Sequence, residues 1–254
     1  MFIGVSDSAS LIQPDITSLL QGPSPLEVLE YERAGVNFSG SCWISRLGVL
    51  GFPETDKYSS IARCERTGSI TAFWGRLHNR QQLFSNLHIA SSLQAGYNDA
   101  MLINAAWHRW GKDMLYRFAG EFALAIVEPD SQSTFIARDP LGFRPLYYRC
   151  DKGLVAFSTS VSALKKTIRS DLTKDRLWML RYLIGISASN HQTAYKEIHK
   201  LPPGHYLQID EVGPVEPTLW HRWHDNAPLA PESGVDSVTL YREKLVEAVH
   251  CRLG

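Results

Sequence analysis

Ile136-Ala137-Arg138-Asp139-Pro140-Leu141-Gly142-Phe143-Arg144-Pro145-Leu146-Tyr147-Tyr148 joins two hairpins, and the rest of the chain is read outward from it. Upstream, residues 121–128 hold the continuous apolar run Phe122-Ala123-Leu124-Ala125-Ile126-Val127, which reads as a strand buried on both faces. Pro129-Asp130-Ser131-Gln132-Ser133 turns and residues 134–138 return, predicting the first hairpin. Downstream, residues 144–149 and 154–158 flank Asp151-Lys152-Gly153 and predict the second. Arg138-Asp139 falls in the loop between the hairpins, where an Arg–carboxylate fork is expected to pin the turn rather than to catalyse.

Further strands are expected at Phe2-Ile3-Gly4-Val5, at residues 41–49 and at residues 69–75, the last stopped by Gly75. Helices are fewer. Asn98 caps a segment that carries Met101, Leu102, Ala105 and Ala106 on one face and ends at Gly111. Residues 79–87 form a second candidate, and residues 175–183 set Leu177, Leu180 and Leu183 at helical spacing. Between 211 and 237 the chain is rich in proline and lacks periodicity, so it reads as a linker. An amphipathic helix follows. Asp236 or Ser237 caps it, Tyr241, Leu245, Ala248 and Val249 form its stripe, and Gly254 stands where a C′ glycine would. The expected division is a body over 1–210, then a linker and the first helix of a further domain over 211–254. A helix that folds back onto the body is the competing reading.

The chain has 254 residues, 44% apolar and 20% charged, which excludes a disordered chain, a collagen and a coiled coil. Lysine plus arginine total 26, and aspartate plus glutamate total 26, so there is no surplus of positive charge for a nucleic-acid face. Core packing is therefore the safer account of the seven tryptophans and ten tyrosines. No apolar run is long enough for a membrane span, and Met1-Phe2-Ile3-Gly4-Val5-Ser6-Asp7 is too polar for a signal peptide, so the cytosol is the expected compartment. Cys42, Cys64, Cys150 and Cys251 form no CxxC pair and lie near no histidine at metal-ligand spacing. They are expected to be reduced and to bind no metal.

The ordered set of segments resembles the class II glutamine amidotransferases, the N-terminal nucleophile hydrolases of the asparagine synthetase type. The most specific match is the opening stretch, where the family carries Ala-Arg-Asp, a glycine, then Pro-Leu-Tyr-Tyr. Trp110-Gly111 and Phe118-Ala119-Gly120-Glu121-Phe122-Ala123 are similar to the family's Trp-Gly helix end and Gly-x-Phe-Ala strand. Gly75-Arg76-Leu77-His78-Asn79, Phe157-Ser158-Thr159-Ser160 and Leu201-Pro202-Pro203-Gly204-His205-Tyr206 follow in family order. The resemblance implies an α+β fold, an αββα Ntn-hydrolase-like sandwich of two antiparallel sheets between helical layers. It also implies an ATP-pyrophosphatase-type synthetase domain as partner, with ATP and magnesium as cofactors of that domain and none of this chain. Ser233-Gly234-Val235-Asp236-Ser237 is similar to the phosphate loop of such a domain but lacks one glycine. It precedes a helix instead of following a strand, so it reads as a turn and a helix cap.

The resemblance also places a site, and this sequence departs from it. The family's nucleophile is a cysteine directly after the initiator methionine, whose thiol attacks the glutamine amide while its own amino group takes the proton. Phe2 occupies that position. The family's oxyanion hole uses an asparagine side chain and the N–H of the next glycine. Trp74 stands at the asparagine position, and Gly75 is retained. Arg46, in Arg46-Leu47-Gly48-Val49, carries over as the group for the substrate carboxylate. Asp99, in Asn98-Asp99-Ala100-Met101, carries over as the group for the substrate ammonium. Equally open readings make Arg46 a surface strand residue and Asp99 a helix N-terminal acid.

No catalytic residue is thus assigned, and Arg46, Gly75 and Asp99 are the ligand-binding candidates. The expected function is that of a degenerate, non-hydrolysing amidotransferase domain at the N-terminal side of an ATP-dependent amide-forming ligase. Its type is that of lasso peptide cyclases or β-lactam synthetases, acting on a peptide or amino-acid-derived substrate, with no nucleic-acid or membrane partner. The alternatives are an active glutamine-hydrolysing asparagine synthetase subunit and a non-catalytic glutamine-binding module.

Overall fold

The computed structural model describes residues 2–7, 31–37, 41–47, 59–128, 131, 133–151, 154–167, 172–186, 191–210, 213–214, 216–222 and 236–253. Most of the stretch read as a linker, part of the turn at 129–133, and Gly254 lie outside the described residues. In chain order the strands are Phe2–Asp7 (β1), Tyr31–Asn37 (β2), Ser41–Leu47 (β3), Ser59–Arg63 (β4), Ile70–Leu77 (β5), Gly120–Glu128 (β6) and Ser133–Arg138 (β7). Tyr147–Asp151 (β8), Leu154–Ser158 (β9), His199–Lys200 (β10), His205–Asp210 (β11), Gly213–Pro214 (β12) and Thr218–Leu219 (β13) follow. The α-helices are Arg80–Asn86 (α1), Ser91–Gln94 (α2), Asp99–Trp110 (α3), Val161–Thr167 (α4), Arg176–Leu183 (α5) and Ser237–Leu253 (α6).

Among the described residues the strands form two antiparallel sheets. One runs β10-β8-β9-β1-β3-β2, and the other runs β12-β11-β7-β6-β5-β4, with β13 on β11. The two expected hairpins are β6–β7 and β8–β9. β6 is buried on both faces, as its continuous apolar run predicts. Phe122, Leu124 and Ile126 pack with Leu102, Ile103 and Ala106 of α3 and with Leu83 of α1. Their neighbours Ala123, Ala125 and Val127 face the other sheet and meet Leu146, Tyr148 and Phe157. A third cluster, Ala156, Leu164 and Ile198, covers the far face of the first sheet with α4. The layers are therefore helix, sheet, sheet, helix, the α+β sandwich expected from the resemblance.

Local chemistry sets the helix ends. Asn98 accepts from the Met101 N–H at 2.8 Å, and Gly111 ends α3 with φ 57°, where a side chain would be strained. The buried face of α3 is rotated from the expected one: Met101 is exposed, and Ile103 and Asn104 are buried in addition to Leu102 and Ala106. Asn104 is tolerated there because its amide donates to Ser69 Oγ and Thr71 Oγ1. Asp175 caps α5 through the Trp178 N–H at 2.9 Å, yet Leu177, Leu180 and Leu183 are exposed. Their spacing is helical, as expected, but no described layer covers them. Among the described residues no helix is long and apolar enough to cross a membrane.

Candidate functional site

The site is built where β5 meets β6 at unusually close range. Gly75 pairs with Phe122, Arg76 with Glu121 and Leu77 with Gly120. A Cβ on Gly75 would lie 2.0 Å from the Glu121 carbonyl oxygen, and one on Gly120 would lie 2.2 Å from that of Arg76. Both positions therefore require glycine for packing, and Gly75 requires it again for its φ of 153°. One residue earlier, Trp74 points to the inter-sheet side, half-buried against the cluster of Ala123, Leu146 and Phe157. The Arg144 guanidinium sits over its indole at 4.9 Å, and Arg144 Nη2 lies 3.4 Å from Glu121 Oε1. Arg144 and Glu121 are each about a quarter exposed, so their attraction is screened and holds a geometry more than it stabilises a fold.

Arg144 is positioned by the loop quoted at the outset. The Asp139 carboxylate accepts from the N–H groups of Leu141 and Phe143 at one oxygen and of Phe122 and Arg144 at the other. Arg138 donates to the carbonyls of Arg144, Leu201 and Gly142. The expected fork between the two side chains is thus corrected: among the described residues no ion pair joins them. Asp139 gathers the loop's donors and Arg138 its acceptors, because adjacent residues on an extended strand project to opposite faces. The same bonds hold residues 144–146 in the loop, so β8 begins at Tyr147 rather than at Arg144.

The remaining candidates lie as follows. Phe2 opens β1 and pairs in register with Arg46 on β3. β1 and β3 lie against β5 across the sandwich, so positions 2 and 46 belong to the sheet that opposes the strand of Trp74 and Gly75. Asp99 is the first residue of α3, nearly buried, and its carboxylate is ion-paired with Arg80 of α1. Arg80 is fixed in turn by donating to the Tyr97 carbonyl at 2.8 Å. No described contact joins Asp99 to Trp74 or Gly75. Arg144, Glu121, Arg76 and His78 were not singled out from sequence. Of the segment compared with a phosphate loop, Asp236 and Ser237 are described: Asp236 uses its carboxylate to cap α6 at the N–H groups of Val238 and Thr239, where it would repel a phosphate.

Three histidines give the fold a pH dependence. His78 and His108 are half-buried and His199 lies on an exposed edge strand, and desolvation is the largest cause that pushes each below the ordinary 6.5. His108 receives further lowering from Arg66 while its Nε2 bonds Ser69 Oγ and Thr67 Oγ1. A lowered value means that the unfolded chain takes up the proton first as pH falls. Stability is then whole above about pH 6.5 and declines below it. The urea midpoint is expected to be lower at pH 5.5 than at pH 7.5, a window above the ordinary carboxylate range. His108→Gln should reduce the difference. Equal midpoints at the two pH values would contradict it.

A family model described as a glutamine amidotransferase domain matches residues 45–220. Amidase chyE of Penicillium rubens is 28% identical over 169 residues, covering 65% of this chain and 24% of its own length. The glutamine-hydrolysing asparagine synthetases 2 and 3 of Bacillus subtilis are 26% and 23% identical, each over 69% of this chain, and over 25% and 28% of their own lengths. The chain thus spans about a quarter of the curated relatives it matches. The solved glutamine phosphoribosylpyrophosphate amidotransferase of B. subtilis, complexed with ADP and GMP, superposes with a TM-score of 0.51 at 15% identity. That superposition covers 87% of this chain and 49% of the other, a likeness of fold.

Proposed function

This chain belongs to the glutamine amidotransferase domain family, and on that premise we propose that it is a degenerate, non-hydrolysing member. The observation that carries this reading is Trp74. At the position where the resemblance expects an asparagine carboxamide beside the oxyanion glycine, the strand presents an indole covered by Arg144, which Glu121 pairs in turn. Hydrolysis of glutamine needs a nucleophile, a base for its proton, and two donors aimed at the developing oxyanion. Of these, the chain keeps the Gly75 N–H as a donor, and position 2 holds a phenylalanine that can neither attack nor leave. Asp99, neutralised by Arg80, adds support, because a paired carboxylate is a poor receiver for a substrate ammonium.

The whole protein is then an asparagine synthetase-like ligase in which ammonia from glutamine is dispensable. A synthetase domain, using ATP and magnesium, activates a carboxylate, and an amine of the same peptide or amino-acid-derived substrate attacks it, as in lasso peptide cyclases and β-lactam synthetases. The amidotransferase-like domain serves as scaffold and as a wall of the substrate cleft. The test is glutamate release from glutamine, with the N-terminal residue of the same sample fixed by intact mass. No glutamate above the spontaneous rate from a chain that keeps Phe2 is expected. Turnover abolished by a glutamine-analogue electrophile would overturn the reading.

A further inference from the structure

We propose that Arg76 and His78 form a receptor for the C-terminal end of α6, tying that helix to the strand of the candidate site. The Arg76 guanidinium donates to the Arg252 carbonyl at 2.5 Å. His78 Nδ1 lies 3.1 Å from the Cys251 carbonyl oxygen. A carbonyl can only accept, so the imidazole must carry its proton on Nδ1. Both carbonyls belong to the last turn of α6, whose oxygens have no partner within the helix and collect the negative end of its dipole. Arg252 Nη1 closes the same turn from inside by donating to the Ala248 carbonyl at 3.0 Å. The body therefore supplies, across more than 170 residues of chain, partners for the last carbonyls of the helix.

The hold is by the end and not by the face. Val238, Tyr241, Leu245, Val246 and Val249 remain exposed along the helix. Among the described residues, the hydrogen bonds that join α6 to the body all lie at its last turn. Arg76 is the penultimate residue of β5 and His78 the first residue after it, so the end of one strand carries both donors to the helix end. The intervening Leu77 is buried in the helix-layer core, which fixes the strand beneath them. Arg76 directly follows Gly75 and faces Glu121 in the ladder. The docking of α6 is thus one peptide bond from the glycine of the candidate site.

Hydrogen exchange on the full chain tests this, comparing the wild type with Arg76→Glu and His78→Leu. Both side chains are partly exposed, so neither substitution opens the core. Exchange over residues 246–253 is expected to quicken about five- to tenfold in each variant, while peptides from β6 keep wild-type protection. Unchanged exchange at the helix end in both variants would overturn the proposal. So would an equal rise over β6 and α6, since that is general loosening rather than release of a helix. Should Arg76→Glu fail to fold, His78→Leu alone decides, because the absence of any rise in it removes one of the two ties.

Discussion

Asp139→Ala is expected to lower the free energy of unfolding by about 3–5 kcal/mol, the largest loss for a single polar side chain among the described residues. Asp139 is 1% exposed and receives four main-chain N–H groups, from Phe122, Leu141, Phe143 and Arg144. Alanine would leave these donors without their carboxylate partner. Each bond to a charged group contributes roughly 1.5–3 kcal/mol, and the four are not independent, so the sum exceeds the expected effect. Arg138, 3% exposed, would also lose the neighbouring negative charge that opposes its desolvation. Asp139→Asn keeps one accepting oxygen and should cost about half as much. Urea unfolding followed by tryptophan fluorescence measures both, and a loss below about 1 kcal/mol for the alanine variant would show that the loop is held by other means.

The loop matters beyond stability because Arg144 leaves it to cover Trp74. The Arg144 N–H binds Asp139 and its carbonyl accepts from Arg138, so its backbone is fixed on both sides of the peptide unit. An Asp139 variant that still folds should therefore free the indole first.

What the sequence makes legible follows from the range of each interaction. The β6–β7 hairpin announces itself because a run of six apolar residues, a polar turn and a returning strand are adjacent in the chain. The α3 helix does so through Asn98 and Gly111, whose effects are confined to one turn. The face that α3 buries is less legible, since Met101 and Ile103 are both apolar and only packing against β5 chooses between them. The exposed leucines of α5 show the opposite limit: periodicity reports a face suited to burial and is silent on what covers it. Tyr31–Asn37 gives no clear alternation, and it becomes β2 by pairing with β3 along its whole length. In the site, Trp74 and Gly75 are read from a motif, but the Arg144–Glu121 pair spans 23 residues and depends on where a loop folds over β6. The partner of Asp99 is no more visible, because Arg80 reaches it from a different helix.

Phe2→Cys combined with Trp74→Asn is the second change of large expected effect. Neither alone should hydrolyse glutamine at a useful rate. On the proposed reading, asparagine at 74 would supply a donor to an oxyanion that nothing generates, and cysteine at 2 would generate one in a hole that the indole still fills. Groups that act on one transition state are strongly non-additive, so the pair should gain far more than the two singles together. One oxyanion donor is worth about a hundred- to a thousandfold, and the double variant is expected to exceed Phe2→Cys by a factor in that range. Removal of the initiator methionine must accompany it, since the free amino group takes the thiol proton, and intact mass reports that step. The double variant should nonetheless show a high KM, because Arg80 still neutralises Asp99. Adding Arg80→Gln should lower KM with little change in kcat, as expected when a group affects ground-state and transition-state binding equally. If Phe2→Cys alone matched the double variant, Trp74 would not be filling the hole, and the loss of hydrolysis would rest on the nucleophile alone. If no combination released glutamate, the departure from the amidotransferase site would run deeper than these two positions. On the proposed reading, the Arg144–Glu121 pair, left without the indole, would then be the next position to change.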